Sequence, residues 1–97
     1  MNKEYDDVFM KALHTWGGEA QETMAIEECS EFIKAICKLR RSSGSQELKN
    51  LIDEIADVTI MMRQMAIAVG EDQVEERIAY KVDRLRERLG FTQELRK

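Results

Sequence analysis

The sequence turns on two short stretches, Ala25-Ile26-Glu27-Glu28-Cys29-Ser30-Glu31 and Asp53-Glu54-Ile55-Ala56-Asp57. Each sets acids three apart inside an apolar helical pattern. Residues three apart on a helix share a face, with about 5–6 Å between their Cβ atoms. Glu28 and Glu31 therefore form one acidic pair, and Glu54 and Asp57 another. In an antiparallel helical hairpin, opposed residues share a constant sum of residue numbers. Glu31 with Glu54 and Glu28 with Asp57 give the same sum, and its centre falls between Ser42 and Ser43. That point lies in Ser42-Ser43-Gly44-Ser45, the one strong Ser/Gly cluster of the chain, which reads as a turn. Four carboxylates are thus expected at one level of one helix pair.

Around this hairpin the pattern predicts an all-α chain, a four-helix bundle-like subunit forming a single domain over residues 1–97. The first helix is expected from about Lys3 to His14, with Tyr5, Val8, Phe9, Ala12, Leu13 and Trp16 as its apolar stripe and Gly17-Gly18 as its end. Trp16 reads either as a core anchor or as a ring walling a base pocket beside the acids. His14, the only histidine, reads as a partly exposed helix-end residue, with a ligand contact as the alternative. The second helix is expected from about Glu19 to Arg41, with Met24, Ala25, Phe32, Ile33, Ile36, Cys37 and Leu39 on its core side. Cations in its last turn suit the negative end of the helix dipole. Ser45 is the expected N-cap of a third helix from about Gln46 to Val69, closed by Gly70. From Ile55 to Val69 this helix is apolar nearly all round, and such a helix is buried on every side. One small subunit can hardly cover it. Oligomerisation through its methionine-rich face is therefore expected, as a homodimer or homotetramer.

The fourth helix is expected to open at Asp72-Gln73-Val74-Glu75, a capping-box pattern, and to close at Gly90. Val74, Ile78, Val82, Leu85 and Leu89 form its expected core stripe. Beside it runs a basic stripe of Arg77, Lys81, Arg84 and Arg88, either a solvated face or a surface for phosphate. Residues from Phe91 to Lys97 read as a tail. The sequence shows no strand pattern.

Composition narrows the function classes. The 97 residues are 43% hydrophobic and 35% charged, with no Pro and a net charge of −4. This suits a packed helical protein and argues against a nucleic-acid binder, which needs a basic surface. Cys29 and Cys37 stand eight apart on one helix, too far to bridge, which reads as reduced core thiols of a cytoplasmic protein. The acidic start carries no apolar run and does not read as a secretory signal. Asp57 and Arg63 interrupt the richest apolar stretch, so no membrane span is expected.

Single acids on a helix are ordinarily solvated, but four at one level are not an ordinary case. Two like charges about 5 Å apart at an effective dielectric near 20 repel by roughly 3 kcal/mol. Several such pairs would cost much of a stability of about 5–15 kcal/mol. Raised pKa values, nearby cations or a bound metal must offset this. Carboxylates without His or Cys favour a hard cation, Mg²⁺ or alternatively Mn²⁺. A di-iron bundle needs Glu-x-x-His on two helices, and Lys11 stands three before His14. Zinc lacks a Cys/His set. Magnesium held by acids typically meets a phosphate substrate, and Lys34, Lys38, Lys81 and Arg84 are the candidate phosphate-binding cations. No glycine-rich phosphate loop is present.

Glu27-Glu28-Cys29-Ser30-Glu31 followed by Glu54-Ile55-Ala56-Asp57 resembles the paired E-E-x-x-E and E-x-x-D motif of the MazG-like, all-α nucleoside triphosphate pyrophosphohydrolases. Trp16-Gly17, Gln21 and Lys81-Val82-Asp83-Arg84 are similar to small single-domain members, and the resemblance spans roughly Trp16 to Leu89. It implies a dimer or pair of dimers and Mg²⁺-dependent cleavage of a nucleoside triphosphate to monophosphate and pyrophosphate. The family's metal ligands correspond to Glu28, Glu31, Glu54 and Asp57, the acids already singled out by spacing. Glu27 becomes an additional acid that activates water or binds a second ion. Trp16, Gln21 and Tyr80 are the candidates for contacting the base. The alternative function is a non-enzymatic helical oligomerisation or nucleotide-binding module, because a sticky third helix serves association as well as catalysis.

Overall fold

The computed structural model describes residues 3–91, which form four α-helices and no strand: α1 Asp6–Trp16, α2 Gly18–Arg41, α3 Ser45–Val69 and α4 Glu71–Leu89. The all-α reading holds at this level. Among the described residues no helix is long and apolar enough to cross a membrane.

The α2–α3 hairpin is the main packing unit, and α1 lies against both of its helices. Its seam is written in small and polar residues. Gln21, Ala25 and Ala35 are buried on α2, with Glu28 half-buried between them. On α3 the seam runs through half-buried Glu54 and buried Met61 and Gln64. Both helices follow alternating steps of three and four residues, which keeps one face on the partner. Alanines let the backbones come close, and they displace several expected core residues. Met24, Ile33 and Cys37 point outward instead, while Cys29 is half-buried and both cysteines are free.

The turns follow the glycines. Gly17 (φ 86°) joins α1 directly to α2, and Gly70 (φ 132°) joins α3 to α4, both in backbone regions that L side chains rarely adopt. Gly44, rather than Ser45, is the N-cap of α3, and Gly70 rather than Asp72 precedes α4; neither helix start has a side-chain cap. The Glu47 carboxylate lies over Gly44, where a capping side chain would have to sit. Gly90 is left-handed as expected (φ 80°, ψ 17°), and the Phe91 N–H donates to the Arg86 carbonyl at 2.8 Å, as in a Schellman stop.

The largest departure from expectation is α4. Its backbone approaches α3 alone, and none of its residues is buried. Val74 is half-buried, but the rest of the stripe, Ile78-Val82-Leu85-Leu89, meets solvent, with Leu85 51% and Leu89 65% exposed. The radius of gyration, 16.4 Å, exceeds the ~12–13 Å of a compact domain this long. Among the described residues the core is correspondingly thin, made of Ala12, Ala25, Ala35, Met61 and Ala66 without any fully buried large side chain. Trp16 is 66% exposed and anchors no core.

An ionic knot fixes where α4 leaves. Arg63 is 6% exposed and grips Asp6 at the start of α1, with Nε and Nη2 at 3.1 and 2.9 Å from Oδ1 and Nη2 at 3.1 Å from Oδ2. The same Nη2 meets Glu71 Oε2 at 2.6 Å, and Lys3 Nζ lies 3.3 Å from Glu71 Oε1. One guanidinium thus joins α1, α3 and the first residue of α4. The groove beside the knot, about 630 Å³, is lined by Tyr5, Phe9, Val58, Met62, Val74 and Ile78 among others.

Candidate metal centre

The hairpin register carries the acids to one level. Oxygens of Glu28, Glu54 and Asp57 all lie within 4.8 Å of one another. The Asp57 carboxyl is within hydrogen-bonding reach of both Glu28 and Glu54. Two carboxylates can share such a bond only if one holds a proton, and the titration follows. Glu28 is raised above the ordinary glutamate value, first by its hydrogen bond to Asp57, then by burial and by the charges of Asp57, Glu54 and Glu31. Glu54 is raised chiefly by loss of solvent, then by Asp57, Glu31 and Asp53. Like charges at close range disfavour joint ionisation. A divalent cation relieves the same repulsion without protons, and an all-oxygen donor set fits Mg²⁺ or Mn²⁺.

Glu31 completes the level electrostatically, since its charge acts on both Glu28 and Glu54. Its side chain is turned outward, 3.5 Å from Lys34 Nζ. It also borders a groove of about 210 Å³ running from the acids toward the hairpin turn, shared with Lys34, Ala35, Lys38, Asn50, Asp53 and Glu54. Two of the four expected phosphate-binding cations, Lys34 and Lys38, therefore stand beside the acids. Glu27 is exposed and lies outside the three-acid group.

The other expected site residues are placed elsewhere. Lys81 and Arg84 lie on α4, where with Leu85 and Arg88 they frame a separate hollow of about 250 Å³. Because α4 swings away from α2, a single chain does not bring these cations to the acids. Gln21 is 4% exposed in the hairpin seam, Trp16 stands in solvent at the end of α1, and Tyr80 is half exposed with the Arg77 guanidinium 4.7 Å from its ring centroid. None of the three lines the groove beside the acids.

Asn50 and Asp53 line that groove and were not among the residues expected to act there. The hairpin register contained the signal for Asn50, which falls opposite Ala35, one turn before Glu54. Asp53 was visible as the first residue of its acidic stretch, masked by a position one step off the seam. No family model matches this chain, and no solved structure matches it.

Proposed function

We propose that the chain is a Mg²⁺-dependent nucleoside triphosphate pyrophosphohydrolase that works as a homo-oligomer. The observation that carries the reading is the convergence of Glu28, Glu54 and Asp57 within 4.8 Å, beside a groove holding Lys34 and Lys38. Glu28, Glu31, Glu54 and Asp57 are the residues that would hold the metal. When bound, Mg²⁺ supplies neutralisation of phosphate oxygens and a lowered pKa for a coordinated water. Lys34 and Lys38 bind outer phosphate oxygens as mobile point charges. Asn50 offers both a donor and an acceptor to the same groove. Glu27, the adjacent acid outside the cluster, accepts the proton of the attacking water. Water adds across one phosphoanhydride bond, giving monophosphate and pyrophosphate. The acidic motif pair, with its resemblance to MazG-like enzymes, supports this reaction class over other uses of a phosphate groove. The apolar groove lined by exposed Tyr5, Met62 and Ile78 with half-buried Phe9 and Val74 supports the oligomer.

The test is a panel of standard, deoxy and modified nucleoside triphosphates with Mg²⁺ or Mn²⁺, scored for pyrophosphate. Metal-dependent release from at least one nucleotide is expected, and none from any would refute the enzyme reading. The same apolar groove favours a second reading, a non-enzymatic association module. Oligomerisation without any binding of Mg²⁺, alone or with nucleotide, would select it.

A further inference from the structure

We propose that the buried carboxamides of Gln21 and Gln64 form the base-reading end of the site, taking the hydrogen-bonding edge of the substrate's nucleobase. The proposal rests on the pyrophosphohydrolase reading and adds where the nucleoside lies and what recognises it. Its starting point is an unpaired acceptor. Gln64 is 6% exposed, and its Oε1 is shut off from solvent with no hydrogen-bond partner among the described residues. A buried acceptor left unpaired destabilises the fold, and chains keep such groups where function needs them. Gln21, 4% exposed, stands opposite, because the two glutamines share the residue-number sum of the paired acids. Two carboxamides bring donors and acceptors together. A base edge carries the complementary pattern of acceptors and donors.

Direction and distance agree. The groove holding Lys34 and Lys38 runs from the acids toward the hairpin turn. A triphosphate whose outer oxygens meet these lysines sends its nucleoside the opposite way, toward the α1–α2 corner. The carboxamides lie on that side: Gln21 is seven residues before Glu28, and Gln64 seven after Asp57. Two helical turns, about 10 Å along the axis, separate them from the acids, which leaves room for the ribose between phosphate and base. The seam between holds buried Ala25 and Met61, one small and one pliant side chain. The base enters through the corner. The Gln21 N–H donates to the Gly17 carbonyl at 3.2 Å, so this residue sits one turn inside it. A Cβ at Gly17 or Gly18 would meet nothing within 4 Å, which gives the end of α1 space to shift while the Arg63–Asp6 pair holds its start.

The probes are inorganic tripolyphosphate, which has no base, and non-hydrolysable triphosphates of the standard nucleosides, each with Mg²⁺. In the ¹⁵N-labelled full chain both kinds of probe should shift the backbone amides of Glu31, Lys34 and Lys38. Only a nucleotide should shift the side-chain NH₂ signals of Gln21 and Gln64. The preferred nucleotide should bind Gln64→Met about ten-fold more weakly than wild type, the loss of one net hydrogen bond, while tripolyphosphate binds both alike. Q64M should melt no lower than wild type, since methionine keeps the volume and removes the orphaned acceptor. Bound nucleotide with both carboxamide signals unmoved, equal nucleotide affinity in Q64M, or a lowered melting temperature would overturn the base-reading role and leave the hydrolase reading standing. Binding of neither kind of probe would remove both.

Discussion

Replacing Arg63 with methionine should destabilise the protein more than any surface change. Methionine keeps much of the packing volume and removes the guanidinium. Asp6 and Glu71 would then face each other at the α1–α3–α4 junction, with side chains only 21% and 17% exposed. Removing one partner of a buried ion pair costs about 3–5 kcal/mol, mostly as the uncompensated charge left behind. Some water reaches both carboxylates and Lys3 stays near Glu71, so the lower end, about 3 kcal/mol, is expected. With a urea m-value of about 2 kcal/mol per molar, the midpoint should fall by about 1.5 M. The assay is far-UV circular dichroism in urea at one fixed protein concentration, because assembly would otherwise shift the midpoint. Adding Asp6→Asn and Glu71→Gln should restore most of the loss, since neutral groups carry no orphaned charge. A fall below about 0.5 M with unchanged m, or no rescue by the neutral pair, would refute the knot as the device that fixes α4.

Two other outcomes follow from the same contacts. Glu28 and Glu54 are raised above the ordinary glutamate value of 4.5, so the native state retains protons that the unfolded chain releases. Without metal, stability contributed by the protonated pair is complete below that value and lost as pH rises through the raised pKa values. Melting temperature should therefore fall from pH 4.5 toward 7, and Mg²⁺ should restore it at pH 7 but not at pH 4; a Mg²⁺ effect equal at both would refute the assignment. Leu85→Asp, on the bare face of α4, should leave helix content intact and break assembly. Burying a leucine contributes about 1.5–3 kcal/mol, twice over in a symmetric dimer, so Kd should rise at least about 100-fold by sedimentation. An unchanged Kd would mean that α4 does not form the interface.

The hairpin and its acid level were legible because both depend on short-range rules. Helical spacing set the Glu28–Glu31 and Glu54–Asp57 pairs, and the Ser/Gly turn set their register. The structure places Glu28, Glu54 and Asp57 together as that register requires. Lys34 and Lys38 were legible for the same reason, one and two turns on along α2. The position of α4 was not legible. Its apolar stripe predicts burial but does not state against which surface, and the same Val74-to-Leu89 pattern serves a helix folded back on its own chain or one reaching another. Arg63 was readable only as an interruption of an apolar run. Its function depends on Asp6, 57 residues away in sequence, and on Glu71 beyond a glycine corner. The seam residues Gln21, Ala35 and Gln64 went unpredicted because a close helix pair selects for size, which hydropathy periodicity does not register.

The central claim is that the hairpin acids hold a hard divalent cation for phosphate chemistry. Calorimetric titration of Mg²⁺ into the wild-type chain and into Glu54→Gln, each with and without a non-hydrolysable nucleoside triphosphate, tests it most directly. The account predicts saturable binding to wild type, tightened by the nucleotide, and its loss in the variant with the helical fold retained. Absence of binding even with nucleotide present, or equal binding by the variant, would contradict it.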